Sequence, residues 1–255
     1  MGKNTKKTTT PANGWSEKKK NIVTGAVLLA FAALIAVICV IAIHCGRQDS
    51  NQPGSETTSP SLETLDAITS GYTESADQTD YVQLTVRYVN SQGQVATGDI
   101  VVHLRPDAAP ITVENFQKLV ASGFYNNLTF HRVVSGFMIQ GGDPKGDGTG
   151  GSADTIKGEF SSNGVSNPLK HTRGVISMAR STAPNSASSQ FFIMHETNSS
   201  LDGSYAAFGE VVFGMETVDG IAGTAVTYGS SGEKSAPLHK PVILKACFVK
   251  APAES

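Results

Sequence analysis

Cysteine is scarce in this chain: three residues in 255, at Cys39, Cys45 and Cys247. Three thiols so spaced make no disulfide framework, so the folded part has to be held by its apolar core. Cys39 and Cys247 lie within apolar or alternating segments and read as small fillers. An excess of one charge is missing as well. Twenty Lys and Arg stand against 22 Asp and Glu, a formal net charge of −2, which leaves none of the concentrated basic surface that nucleic-acid binding needs. The six histidines show no paired spacing of the HExxH kind, so neither a metal nor any other cofactor is expected. Neither a GxSxG elbow nor a Cys–His arrangement with local support appears, and hydrolytic chemistry has no foothold.

What is present begins with an apolar run over 22–43 that carries no charge. At about 1.5 Å per residue it is long enough to cross a hydrocarbon core of roughly 30 Å. It also lacks the polar stripe of a soluble helix. Lys18, Lys19 and Lys20 precede it and only Arg47 follows closely, which places the amino terminus in the cytoplasm and the rest outside. A cleaved signal peptide would have an apolar region of about 7–15 residues ending at small residues. Ala42-Ile43-His44-Cys45 fits that poorly, and His44 argues against a lipid on Cys45. The expected organisation is a basic cytoplasmic tail at 1–21, a transmembrane anchor at 22–43, a flexible spacer at 44–79 and a folded domain at 80–251. The expected location is therefore the cell membrane, single-pass, with the folded domain extracellular. The spacer reading rests on a composition rich in Ser, Thr, Gln, Asp, Glu and Pro, which buries too little surface to offset the entropy of ordering.

From residue 81 the texture changes. Alternation predicts strands over 81–89 and 98–104, with Asn90-Ser91-Gln92-Gly93 as the turn between them. Proline at 110 opens a helix over 110–120 with an apolar stripe of Val113, Phe116, Leu119 and Val120. Short strands follow over 129–134, 137–140, 174–178, 190–194, 207–212 and 242–249, and a second short helix over 215–221. Many short strands, glycine-rich turns and two helices point to an antiparallel barrel or sandwich. The stretch Gly146 to Gly151 matches GxGxxG, but no helix follows to meet a pyrophosphate. A calcium loop over 143–154 is excluded by Lys145 at a ligand position and by the lack of flanking helices.

The most informative stretch is Phe130-His131-Arg132-Val133-Val134-Ser135-Gly136-Phe137-Met138-Ile139-Gln140-Gly141-Gly142-Asp143. Alternation puts Arg132 and Val134 on one strand face and His131 and Val133 on the other, and Gly136 permits a sharp turn into a second strand. The hairpin gathers a cation, an apolar floor and an amide, with no nucleophile and no acid–base pair. Such a set suits a reaction in which a bond rotates and none breaks.

These residues resemble the signature of the cyclophilins, the peptidyl-prolyl cis–trans isomerases. The likeness continues through Gly148-Thr149-Gly150-Gly151, Leu169-Lys170-His171-Thr172, Gly174-Val175-Ile176-Ser177-Met178-Ala179, Ser189-Gln190-Phe191-Phe192-Ile193, Leu201-Asp202-Gly203 and Phe208-Gly209, in order over 81–250. It implies a mainly β fold, a closed eight-stranded antiparallel barrel capped by two helices. It also implies that Arg132 is the catalytic arginine and that Gln140 hydrogen-bonds substrate backbone beside it. Phe137, Met138, Phe192 and Leu201 would form the apolar proline pocket, with Ala179 and Gln190 as groove walls. His131 matches too and reads as structural.

Three positions depart from the pattern. Ser200 stands where many cyclophilins have a tryptophan that supports cyclosporin binding, so weak cyclosporin binding is expected. Tyr205 replaces a histidine that often lines the pocket, and supplies an aromatic wall with one hydroxyl. Arg180 replaces a smaller polar residue and is expected to change peptide preference. The expected partners are proline-containing unfolded or exported polypeptides. The rival reading is a catalytically weak module that binds proline peptides as a chaperone.

Overall fold

The computed structural model describes residues 71–252, so the basic tail, the apolar run at 22–43 and the spacer up to residue 70 lie outside the described residues. Among those described, no helix is long and apolar enough to cross a membrane. Chain order gives β1 (Thr73–Glu74), β2 (Tyr81–Val89), β3 (Val95–Leu104), α1 (Pro110–Ala121), β4 (Arg132–Val134), β5 (Met138–Gly141), β6 (Val175–Met178), β7 (Phe191–Met194), β8 (Ala207–Phe213), α2 (Met215–Ala222), β9 (Val226–Tyr228), β10 (Lys234–Pro237) and β11 (Val242–Lys250).

The alternation of β2 sends Val82, Leu84, Val86 and Tyr88 inward, as a half-buried strand requires. It pairs along its whole length with β3, from Tyr81 opposite His103 to Val89 opposite Val95. The Asn90 side chain closes the turn between them by accepting from the Gln92 and Gln94 backbone at 3.0 and 2.9 Å. Pro110 stands at the start of α1, and Ala109 offers no side-chain cap. Glu159 supplies one from a distant loop. Its carboxylate accepts from the backbone of Ile111 and Thr112 at 3.1 and 2.8 Å and from the Thr112 hydroxyl at 2.7 Å. An acceptor there satisfies orphan donors of the first turn and suits the positive end of the helix. The buried stripe of α1 carries Phe116 into an aromatic cluster, with ring centroids 5.0 Å from Tyr125, 5.6 Å from Phe191 and 5.1 Å from Phe208.

Nine strands join one antiparallel sheet in the order β1-β11-β2-β3-β8-β6-β7-β5-β4. This corrects the expectation of a closed eight-stranded barrel: there is an additional strand, and no ladder joins β4 back to β11. Asn127, the last residue of the turn after α1, adopts a left-handed φ of 65°. The gap toward β11 is spanned instead by an isolated bridge between Thr129 and Val242. Single backbone bonds accompany it, Asn127 N–H to Ile243 at 2.7 Å, Phe130 N–H to Pro241 at 3.0 Å and Ile243 N–H to Leu128 at 2.8 Å.

Two residues within the range expected as spacer, 44–79, join the sheet. Thr73 and Glu74 pair with Lys250 and Val249, and the Ser75 N–H donates to Phe248 at 2.8 Å. Backbone pairing orders these residues although their side chains are polar. The second helix and the remaining predicted strands stand within a few residues of expectation, while the hairpin of β9 and β10 was not anticipated.

Candidate active site

The hairpin of β4 and β5 pairs Arg132 with Gln140 and Val134 with Met138. Gly136 turns it at φ 79°, and the Phe137 N–H donates to the Val134 carbonyl at 3.0 Å. The Arg132 and Gln140 side chains therefore leave the same face, side by side. Nη1 of Arg132 donates to Oε1 of Gln140 at 3.1 Å and approaches Sδ of Met138 at 3.5 Å. Nε2 of Gln140 donates to Oε1 of Gln190 at 2.9 Å. Nε2 of Gln190 in turn donates to the carbonyls of Gly148 and Gly150 at 3.1 and 2.7 Å. The chain of amides fixes the guanidinium and locks both glutamines in one orientation.

Beside this chain lies a hollow of about 240 Å³ lined by Arg132, Phe137, Met138, Gln140, Ala179, Arg180, Phe192, Leu201 and Tyr205. Eight of the nine residues singled out in the sequence thus meet in one place. The ninth, Gln190, stands behind Gln140 and lines the adjoining hollow of about 370 Å³ along Gly148–Ser152, Ala179 and Arg180. The Arg132 guanidinium carbon is 5.9 Å from the centre of the Phe137 ring, so cation and apolar wall share one cleft.

Further residues support the site: Glu233 carried no signal in the sequence, whereas His131, Asp143, His171 and Asp202 stand in the matched blocks, where only His131 has an expected role, a structural one. Glu233, on the turn between β9 and β10, grips Arg132 through both oxygens, Nε to Oε2 at 2.6 Å and Nη2 to Oε1 at 2.9 Å. The hydrogen bond from Arg132 holds the Glu233 carboxyl below its usual pKa against some desolvation, with help from the Ser235 hydroxyl. His171 is buried beneath Phe192, with the two rings stacked at 6.0 Å and 18°. Its Nδ1 meets Oδ1 of Asp202 and its Nε2 meets Oγ of Ser177, both at 3.0 Å. Burial lowers the His171 pKa although Asp202 opposes this, so the ring is neutral at neutral pH. At Asp202 burial alone would raise the pKa, but bonds from the His171 backbone and ring and the charge of Lys170 bring it below the ordinary value. Asp143, buried, accepts from the N–H groups of Lys145, Asp147 and Gly148 at 2.8, 3.1 and 2.6 Å. The glycine-rich stretch that mimics a phosphate loop is thus wrapped around a carboxylate of its own. His131 is buried with neither ring nitrogen reaching a protein partner. Burial lowers its pKa as well.

Arg180 lies between two rings, its guanidinium carbon 5.0 Å from the Phe160 centroid and 4.9 Å from that of Tyr205. Its Nε donates to the Ser204 carbonyl at 2.9 Å. Among the described residues no group of three or more His, Cys, Asp or Glu side chains converges as a metal site would. Chemically the hollow offers a fixed N–H donor over an apolar floor. The bond from Nη1 to the Met138 sulfur is weak, since a thioether is a poor acceptor. That N–H is accordingly the one most readily given up to a bound molecule.

Residues 88–248 match the family described as cyclophilin type peptidyl-prolyl cis-trans isomerase/CLD. The chain is 49% identical over 117 residues to peptidyl-prolyl cis-trans isomerase B of Bacillus subtilis, covering 46% of this chain and 78% of that protein. It is 43% identical over 161 residues to peptidyl-prolyl cis-trans isomerase B of Escherichia coli, covering 60% of this chain and 94% of that protein. In three dimensions it resembles a Cryptosporidium parvum cyclophilin-type isomerase solved in the presence of the dipeptide Ala-Pro. The TM-score is 0.53 and the identity 31%, over 66% of this chain and 99% of that one.

Proposed function

The chain belongs to the cyclophilin-type peptidyl-prolyl cis-trans isomerases, and from that premise we propose that the hollow above Met138 and Phe192 seats the proline ring while Arg132 favours the twisted amide. An X–Pro bond crosses a barrier of about 18–20 kcal/mol because amide resonance is lost on the way. The enzyme gains only from contacts stronger in the twisted state than in either planar state. In that state the prolyl nitrogen regains its lone pair and becomes an acceptor. Nη1 of Arg132, directed over the apolar floor, donates to it and leaves the Met138 sulfur. Gln140 holds the substrate backbone beside the guanidinium, and Phe137, Met138, Phe192, Leu201 and Tyr205 keep the ring still while the preceding carbonyl swings. A 10⁵-fold acceleration requires about 7 kcal/mol of such preference. The placing of the Arg132 fork in the same cleft as Phe137 and Phe192 carries this reading.

The full-length protein and its Arg132→Ala variant, compared in a peptide isomerisation assay, test it. A loss of roughly 100- to 1,000-fold is expected, the size of effect seen when one transition-state donor is removed. Equal rates leave only the rival reading, a proline-peptide-binding module of weak catalytic power.

The physiological setting proposed is the outer side of the cytoplasmic membrane, on newly exported chains. The uncharged run at 22–43 with lysines before it supports this, and a spacer of this length gives a reach of about 30 Å. Protease added to intact cells should remove the isomerase domain and spare the tail; a domain protected until lysis overturns the topology. Weak cyclosporin binding is proposed from Ser200, whose hydroxyl turns to Asn198 at 2.7 Å and leaves no ring at that rim. Half-inhibition at concentrations equimolar with the enzyme would overturn it.

A further inference from the structure

We propose that Glu233 is a positioning residue for the isomerase reaction, one that sets the plane of the Arg132 guanidinium so that Nη1 faces the hollow. The inference rests on the role given to Arg132 above and adds to it a group that does not touch the substrate. Glu233 lies 101 positions along the chain from Arg132, outside the nine-stranded sheet. It rides on the hairpin of β9 and β10, whose turn is fixed by the Gly229 N–H donating to the Glu233 carbonyl at 2.8 Å and by Gly232 at φ 79°. The hairpin packs β10 against β4, the strand that bears the arginine.

The geometry of the contact is specific. Two parallel N–H to oxygen bonds form at 2.6 and 2.9 Å along the Nε–Nη2 edge of the fork. A two-point grip of that kind fixes the plane of the guanidinium as well as its location. With that edge occupied, the Nη1 corner is the part that projects toward Gln140 and Met138. Arginine without the clamp could rotate about its side-chain torsions and carry Nη1 out of the cleft. Stability does not explain the pair, since its side chains are 32% and 40% exposed and an ion pair so open to solvent contributes little to folding. Ser235, buried, helps keep the Glu233 carboxyl ionised beside Arg132.

Turnover of an X–Pro peptide by the full-length protein, followed by exchange NMR, tests the assignment with Glu233→Ala and the isosteric Glu233→Gln, each made alone and with Arg132→Ala. Glu233→Ala alone should lower kcat about tenfold and leave KM nearly unchanged, because a misoriented group costs rate more than binding. Glu233→Gln, which keeps one acceptor oxygen, should lose less. In the Arg132→Ala background neither change should alter the remaining rate. In the Nε resonances of the guanidinium, Glu233→Ala should release the hindered rotation of Arg132. The same fold loss with and without Arg132 would make Glu233 a structural residue and overturn the proposal. So would an unchanged or faster Glu233→Ala enzyme. Full activity in Arg132→Ala alone would instead remove the reading on which the proposal stands, and the proposal with it.

Discussion

Strands β5, β6 and β7 carry two apolar surfaces back to back. Ile139, Ile176, Phe191 and Ile193 point into the main core, while Met138, Val175, Phe192 and Met194 point the other way into a smaller cluster beneath the hollow. The two sets alternate residue by residue, as the period of a strand dictates. Burial does not distinguish them: Ile193 is 0% exposed and Phe192 is 5% exposed. Direction does. The inner face belongs to the main apolar core, whereas the outer face shares its rows with Gln140 and Ser177, which carry the amide chain and the His171 support. The candidate site on the outside of the sheet is thus built from residues that look like core by every measure except the company they keep.

The division between the faces breaks most directly at Phe192. Phe192→Ala removes part of the pocket wall, worth about 2–3 kcal/mol of apolar contact. A loss of roughly 30- to 150-fold in kcat/KM follows, to be read by isomerisation of an X–Pro peptide. Its neighbour should behave in the opposite way. Ile193→Ala should lower the unfolding free energy by about 2–5 kcal/mol, measured by denaturant titration, with the rate per folded molecule little changed. A change at Glu159 affects neither face. Glu159→Ala strips α1 of its acceptor and leaves buried N–H groups unmet, at a cost of about 1–3 kcal/mol. Loss of activity beyond the unfolded fraction would show that α1 is coupled to the hollow.

The smallest effect concerns pH. The His171 pKa is lowered by burial and that of Asp202 by its bonds to His171. A group depressed in the folded state contributes stability that is present above its unfolded pKa and lost as pH falls through the folded one. Thermal midpoints should therefore decline as pH drops below about 6.5 for His171, and again through the acid range for Asp202. His171→Asn should flatten the first decline. An unchanged slope would mean that some other buried group, such as His131, sets it.

Most of this was legible in the chain. Strong alternation in 81–89 and the proline-led stripe of Val113, Phe116 and Val120 gave β2 and α1 nearly to the residue. The signature around Arg132 brought Arg132, Phe137, Met138 and Gln140 together because its two strands are joined by a tight turn, while Ala179, Phe192, Leu201 and Tyr205 came only from the later blocks of the resemblance. The missing parts have physical reasons. β9 is three residues long and β10 contains Pro237, so neither carries a periodic signal, and with them Glu233 was invisible. Glu159 acts through tertiary contact, and nothing in its local sequence marks it; His171 stood in a matched block, but its support of Phe192 is a tertiary contact that the block does not report. Closure was overestimated because the approach to β4 meets β11 only through an isolated bridge and single backbone bonds, a detail that neither composition nor alternation reports.

The two rungs between β1 and β11 have one more consequence. Thr73 lies opposite Lys250, and a β-carbon added at Gly71 would come within 3.5 Å of Pro252. The ends of the described domain are thus next to each other. A short glycine-rich bridge joining them would allow the chain to be cut open elsewhere, for example at the exposed turn near Gly93, and still reach the same arrangement. Such a circular permutant should keep its turnover. It would also move any tether to the Gly93 turn without disturbing the hollow beside Arg132.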